Sequence, residues 1–257
     1  MSSGSHYTLV AVVSPKGGVG KTTVAANLAA TIAARGRPVL LVDLDPQNAL
    51  RLHHQMPLTA AAGLSTQTLL VQPWADALFR GPFGVECLSY GTLEDRERER
   101  FEQRVSADPD WLSKGLDSLA VARGTLVIVD TPPGGSIYLQ QALHAADSVI
   151  VVLLPDAASF VTLPAMARWL DEYCYRRPDF RGARFVINRM NSARTLCRDV
   201  AAGLRQHLGD RLLDVEIRFD AAVEEALASQ SPIQHYASSA PAVRDFEALA
   251  DRMTGIL

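Results

Sequence analysis

Cysteine is scarce in this chain of 257 residues: there are three, Cys87, Cys174 and Cys197, far apart and with no C-x-x-C pair. That excludes a cysteine-ligated zinc or iron–sulfur centre within one chain and fits a reduced, cytoplasmic setting. Long apolar runs are also lacking. None approaches the roughly 20 residues of a membrane span, so direct insertion is not expected. Nor does one sign of charge dominate, since 25 Lys and Arg face 28 Asp and Glu for a formal net charge of -3. Bulk electrostatics give nucleic-acid binding no support, which leaves only a local basic face. No glycosyltransferase or paired-carboxylate hydrolase signature stands out. The polar start, residues 1–7, has no signal-peptide core and is expected to be disordered or added in cloning. Residues 8–257 are expected to form one domain, with no linker, repeat or low-complexity segment.

What is present is a succession of short apolar runs, many β-branched, separated by helix-forming stretches. Strands are expected at residues 9–13, 38–45, 85–90, 125–130, 148–154, 183–188 and 212–217. Between them, helices are expected at 24–34, 49–54, 66–79, 109–122, 138–145, 163–175, 195–207, 221–228 and 242–253. Leu196, Val200, Leu204 and Leu208 recur every four residues, as on an amphipathic helix. Continuous apolar strands alternating with helices predict an α/β fold, a mainly parallel sheet with helices on both faces. Ligands of such sheets bind at the carboxyl ends of the strands.

At the end of the first strand stands Ser14-Pro15-Lys16-Gly17-Gly18-Val19-Gly20-Lys21-Thr22-Thr23. Strand, glycine-rich turn and a helix opening on Lys-Thr form the layout of a phosphate-binding loop. Glycines let backbone N–H groups fold around phosphate oxygens, and the helix N-terminus adds positive potential. Lys21 is placed to reach the β and γ phosphates, and the Thr22 hydroxyl to sit on Mg²⁺. Asp130 ends an apolar strand well beyond the loop and is the second metal candidate, opposite Thr22. Asp43 and Asp45 end another strand two residues apart, on the same face. Asp45, nearer the loop, is the candidate to orient the attacking water, and Asp43 a contact to structure or to metal-bound water. Pro132, Pro133 and Gly134 make a rigid turn beside the expected γ-phosphate position.

The strict G-x-x-x-x-G-K-[ST] pattern is not met, because Pro15 holds its first glycine position. K-G-G-x-G-K-T, with Lys16 ahead of the glycines, resembles instead the deviant-loop ATPases of the ParA/MinD type. The resemblance extends through residues 39–47, 126–134 and 184–191. It implies ATP and ADP as ligands, Mg²⁺ as cofactor, ATP hydrolysis, and a nucleotide-dependent homodimer in which Lys16 acts on the partner subunit's phosphates. Gly17, Gly18, Val19, Gly20, Lys21, Thr22 and Thr23 then cradle the nucleotide, and Asn188 matches the position that contacts adenine. Partition members commonly carry proline where Arg218 stands. The run 217–228, Ser231-Pro232-Ile233, Tyr236, residues 88–93 and Asp110-Trp111-Leu112 resemble the BcsQ (YhjQ) type of cellulose-biosynthesis accessory ATPase. That implies a cytoplasmic factor serving cellulose secretion, brought to the inner membrane or cell pole by partners that include a small companion protein.

Two other readings compete. A partition-type ATPase would bind DNA nonspecifically, using Arg176, Arg177, Arg181, Arg184, Arg189, Arg194 and Arg198 on phosphates; acidic residues interleave them, and this is not favoured. A MinD-like membrane switch would use the last helix, whose Val243, Phe246, Leu249, Ala250 and Met253 share one face. Lipid-binding faces carry an excess of Lys and Arg. Here Arg244 and Arg252 are offset by Asp245, Glu247 and Asp251, so packing onto the domain is expected.

Overall fold

A computed structural model describes residues 6–255. Of residues 1–7, expected to be disordered or added in cloning, the first five lie outside that range, whereas the His6 carbonyl accepts from Gly124 N at 2.8 Å and the Tyr7 hydroxyl donates to Asp117 at 3.1 Å. The strands are β1 (Thr8–Val13), β2 (Val39–Asp43), β3 (Leu78–Arg80), β4 (Glu86–Leu88), β5 (Leu126–Asp130), β6 (Ser148–Leu153), β7 (Ala183–Met190) and β8 (Leu212–Arg218). They form one sheet in the order β3-β4-β2-β5-β1-β6-β7-β8. All neighbours are parallel except β3, which pairs antiparallel to β4 at the edge. The helices are α1 (Lys21–Ala34), α2 (Leu64–Leu70), α3 (Asp95–Ser106), α4 (Trp111–Ser118), α5 (Ile137–Ala145), α6 (Ala157–Tyr173), α7 (Thr195–Leu208), α8 (Ala221–Ala228), α9 (Ile233–Tyr236) and α10 (Pro241–Thr254).

Strand alternation divides the core in two. Leu9, Ala11 and Val13 of β1, with Val127 and Val129 of β5, pack under α2 to α7. Val10 and Val12, with Leu126 and Ile128, pack under α1, α8, α9 and α10. Because successive residues face opposite sides, only strands apolar throughout can serve both layers. Helix α1 is buried nearly all round, as its alanine-rich sequence allows, with α10 closing its outer side. Asn27 in α1 holds that layer in register: its Oδ1 accepts from the Ile233 backbone at 2.8 Å.

The expected apolar face of α10 is buried against the domain, with Val243, Phe246, Leu249, Ala250 and Met253 all in the core. Among the described residues no helix is long and apolar enough to cross a membrane. Three expectations fail locally. The helix expected over 66–79 ends at Leu70, and a single 3₁₀ turn over Trp74–Ala77 leads into β3. Pro73 takes extended backbone there and starts the new direction. Leu196 is 60% exposed, and Cys197 takes its place in the core. A strict four-residue repeat drifts around a 3.6-residue turn, so its first member falls off the buried stripe. The helix expected over 109–122 runs only from Trp111 to Ser118.

Candidate nucleotide-binding site

The sheet order puts β1 between β5 and β6, so the chain runs to one side after β1 and crosses to the other after β5. The loops after β1, β2 and β5 therefore gather at one crevice at the carboxyl ends of the strands. A cavity of about 340 Å³ opens there, lined by Gly17, Gly18, Gly20, Lys21, Thr22 and Thr23, by Asp45 and Gln47, and by Pro133. Its remaining wall comes from Ala49, Leu52, His53 and Leu227, none of which any local pattern marked.

The loop keeps its shape through backbone conformations that side chains resist. Gly20 caps α1 with φ +85°, and a Cβ there would meet Asn188 Nδ2 at 2.5 Å. Asn188 Nδ2 donates to the Val19 carbonyl at 2.8 Å, tying β7 to the loop. The Val19 side chain itself is core. Asn188 does not end its strand as the sequence suggested; β7 continues to Met190, through Arg189 at φ +58°. With Gly20 and Thr23, Asn188 lines a second cavity of about 160 Å³, walled by Ile217, Phe219, Val223 and Leu227.

Thr22 and Asp130 meet directly: the Thr22 hydroxyl donates to Asp130 Oδ2 at 2.5 Å. The other oxygen, Asp130 Oδ1, is buried with no protein partner. Burial pushes the Asp130 carboxyl up to about 7, against the pull of Thr22 and Lys21. Asp43, its register partner on β2, is held well above the usual carboxylate range by burial and by Asp130. Asp43 is a structural acceptor: its carboxylate takes the backbone N–H of Asp45 at 2.8 Å and of Leu50 at 3.1 Å. Asp45 lies past the end of β2, where strand alternation no longer sets its direction, and it reaches the cavity with Oδ1 accepting from Gln47 N at 2.9 Å. Burial also drives the Lys21 ammonium below the usual lysine range, and Asp130 and Asp45 offset this only in part.

The residues present suit a hard cation carried by a phosphate ligand. Mg²⁺ takes one or two carboxylates and completes its shell with water and phosphate oxygens. An orphaned Asp130 oxygen beside a Thr hydroxyl is such a partial set. Among the described residues no cluster of three or more His, Cys, Asp and Glu side chains could hold a metal alone.

Lys16 stands apart. It does not line the cavity but pairs with Asp156, the residue that caps α6 by accepting from Ser159 N at 3.0 Å. Pro133 lines the cavity, whereas Pro132 sits behind it, buried. Several of the arginines weighed for DNA are engaged locally. Arg177 donates to the carbonyls of His144 and Ala146, Arg189 pairs with Glu224 at 2.7 Å, and Arg198 donates to the Ser192 carbonyl at 2.6 Å.

Residues 7–253 match the family described as cellulose biosynthesis protein BcsQ. The chain belongs to the BcsQ family. It is 31% identical over 237 residues to the cellulose biosynthesis protein BcsQ of Escherichia coli K12, covering 92% of this chain and 90% of that one. It is 27% identical to the chromosome partitioning protein ParA of Caulobacter vibrioides NA1000, over 91% and 89% of the two chains. Its fold matches the septum site-determining protein MinD of Pyrococcus horikoshii, solved with Mg-ADP, at TM-score 0.76 and 23% identity over 96% of each chain. This chain thus has a MinD-like α/β fold, and the loop at Lys16 to Thr23 lies where that fold gathers its strand ends.

Proposed function

We propose that this BcsQ-family chain is an ATPase of cellulose biosynthesis, a homodimer switched by its nucleotide. The observation that carries the reading is the hydrogen bond from Thr22, which lines the loop's cavity beside the buried Lys21, to Asp130, which is fully buried behind that lining. Lys21 neutralises the β and γ phosphates, and the loop's N–H groups from Gly17 to Thr23 cradle them. Thr22 and Asp130 would hold Mg²⁺, which would supply further neutralisation of the phosphate charge. Asp45 accepts a hydrogen bond from the attacking water and aligns it. Asn188 contacts the adenine from the second cavity, and Pro132 and Pro133 brace the turn beside the γ-phosphate at the first. Lys16 leaves Asp156 and acts on the partner subunit's nucleotide.

The family membership supports the cellulose role, in which the ATP-bound dimer is read by accessory proteins of a cellulose synthase complex, a small companion among them. The protein acts in the cytoplasm and reaches the inner membrane through those partners. One experiment tests the core of the reading. The purified chain is given ATP and Mg²⁺, and phosphate release and solution mass are followed together. Dimer mass with ATP, monomer with ADP and steady phosphate release are expected. A monomer in both states, or no release, overturns the switch. Cellulose output unchanged in cells carrying Lys21→Ala overturns the role in cellulose biosynthesis.

A further inference from the structure

On the α2–α4 side of the molecule, far along the sheet from β8, a groove of about 790 Å³ runs between α2, α3 and α4. Trp74 and Trp111 form its floor, packed edge to face with ring centroids 5.1 Å apart. Both indole N–H groups donate to one atom, Thr68 Oγ1, at 3.1 and 3.3 Å. That hydroxyl in turn donates to the Leu64 carbonyl at 2.7 Å. With their polar ends consumed inside, the indoles offer the groove only carbon. Gly115 keeps them in place, because a Cβ on it would come within 2.2 Å of the Trp74 ring.

The rim carries a feature that folding alone does not explain. Val71 closes α2 in the left-handed region, with φ +56°, at a position that glycine or asparagine normally fills. A β-branched residue is strained there. Its side chain is nevertheless 76% exposed, beside Leu70 at 64%, so neither is repaid by burial in this chain. Strain of this kind persists where a side chain is needed for contact.

The groove's charge selects the partner. Its one carboxylate, Asp108, is engaged by Lys114 at 2.6 Å. Among the described residues Arg104 makes a single hydrogen bond, Nη1 to the Thr68 carbonyl at 2.8 Å, which leaves its other N–H groups to donate. One uncompensated guanidinium over an apolar floor suits a carboxylate flanked by apolar side chains, and is too little cation for a nucleic-acid backbone or an anionic lipid surface. We propose that this groove docks an acidic, apolar segment of a partner protein. None of its residues lines the nucleotide cavity, so the inference stands apart from the ATPase reading.

The test places the photo-crosslinker benzoylphenylalanine at position 71 of the full chain in its own cells and sequences the adduct. A protein segment rich in Asp or Glu among Leu, Ile or Phe is expected. That segment, made as a peptide, should bind the purified wild-type chain and lose at least tenfold in affinity to Arg104→Glu and to Val71→Asn. Asparagine tolerates the left-handed region, so the Val71→Asn chain should melt at the same temperature or higher while binding less. The proposal is overturned by no adduct, by an adduct to a basic segment, a lipid or a second copy of this chain, or by a peptide that binds both variants unchanged.

Discussion

The two ends of the phosphate loop carry the same residue type in opposite settings. Lys21, at the α1 end, is buried at the cavity with its ammonium disfavoured by desolvation. Lys16, at the β1 end, is partly exposed and committed to Asp156 on a different helix. The first is organised for a ligand before any ligand arrives. The second has a partner already and must exchange it to act elsewhere. On the proposed reading one loop serves binding at one end and regulation at the other, and the two lysines differ in desolvation more than in sequence.

The sharpest way to break this contrast is Lys21→Ala. An anionic ligand would then face a desolvated cavity without its cation, an imbalance worth about 3–5 kcal/mol. Titration calorimetry with ATP is expected to show affinity reduced about 150-fold or more; a loss under tenfold would mean the loop amides dominate. Lys16→Ala should leave that affinity intact and remove the ATP-dependent dimer, at about 3 kcal/mol of association free energy for a desolvated cross-interface charge pair. Light scattering that still reports an ATP-bound dimer in this variant would assign both lysines to the same subunit's nucleotide. Asp45→Ala should bind ATP and dimerise, with turnover down about hundredfold, the usual yield of a positioned base. Unchanged turnover would place the water elsewhere.

The next prediction concerns the acids opposite Lys21. Asp130 is raised to about 7 from an ordinary 3.8, so the folded state holds a proton that the unfolded chain has released. Stability from this group is complete below about pH 4 and is lost as pH rises through about 7. Without nucleotide, stability should fall between pH 5 and pH 8 by on the order of 2 kcal/mol, read as a lower thermal midpoint. Asp130→Asn should flatten that slope and stabilise the empty protein at pH 8. An equally steep slope in the variant would assign the dependence to other groups.

The Lys21 end of the contrast was legible in the sequence and the Lys16 end was not. Gly20, Lys21, Thr22 and Asp130 are each announced by local chemistry: a glycine where φ is positive, a helix start, an acid closing an apolar strand. The strands β1, β2, β5 and β6 were legible for the same reason, being apolar at every position but one end residue because both faces are covered. Asp156 lies 140 residues from Lys16, and only its D-x-x-S cap pattern is local. Nothing in sequence tells a cap from a lysine's partner. The walls contributed by His53 and Leu227 depend on how separate elements come together, as does the edge strand β3, three residues long and preceded by a helix-forming run. Asn188 was placed correctly beside the loop, yet its strand continues past it because a left-handed Arg189 absorbs the irregularity with β8.

The smallest expected effect sharpens the contrast most, because it concerns the exchange itself. Burial works against the Asp156 carboxylate, but hydrogen bonds from Lys16 and Ser159 outweigh it and hold the group below the usual carboxylate range. With both side chains about a third exposed, such a pair contributes at most about 1 kcal/mol, roughly fivefold in an equilibrium. Replacing Asp156 by alanine would also strip the cap from α6, so the informative variant is Asp156→Asn, which keeps an oxygen for Ser159 N and removes the charge. If the pair restrains Lys16 in the monomer, Asp156→Asn should raise the ATP-dependent dimerisation constant, by no more than about fivefold. The gain should shrink in high salt, where the wild-type pair is screened. Sedimentation at matched ATP concentrations reads both effects. A weaker dimer in Asp156→Asn would reverse the assignment and make Asp156 part of the interface that receives the partner subunit, with Lys16 and Asp156 acting together across it.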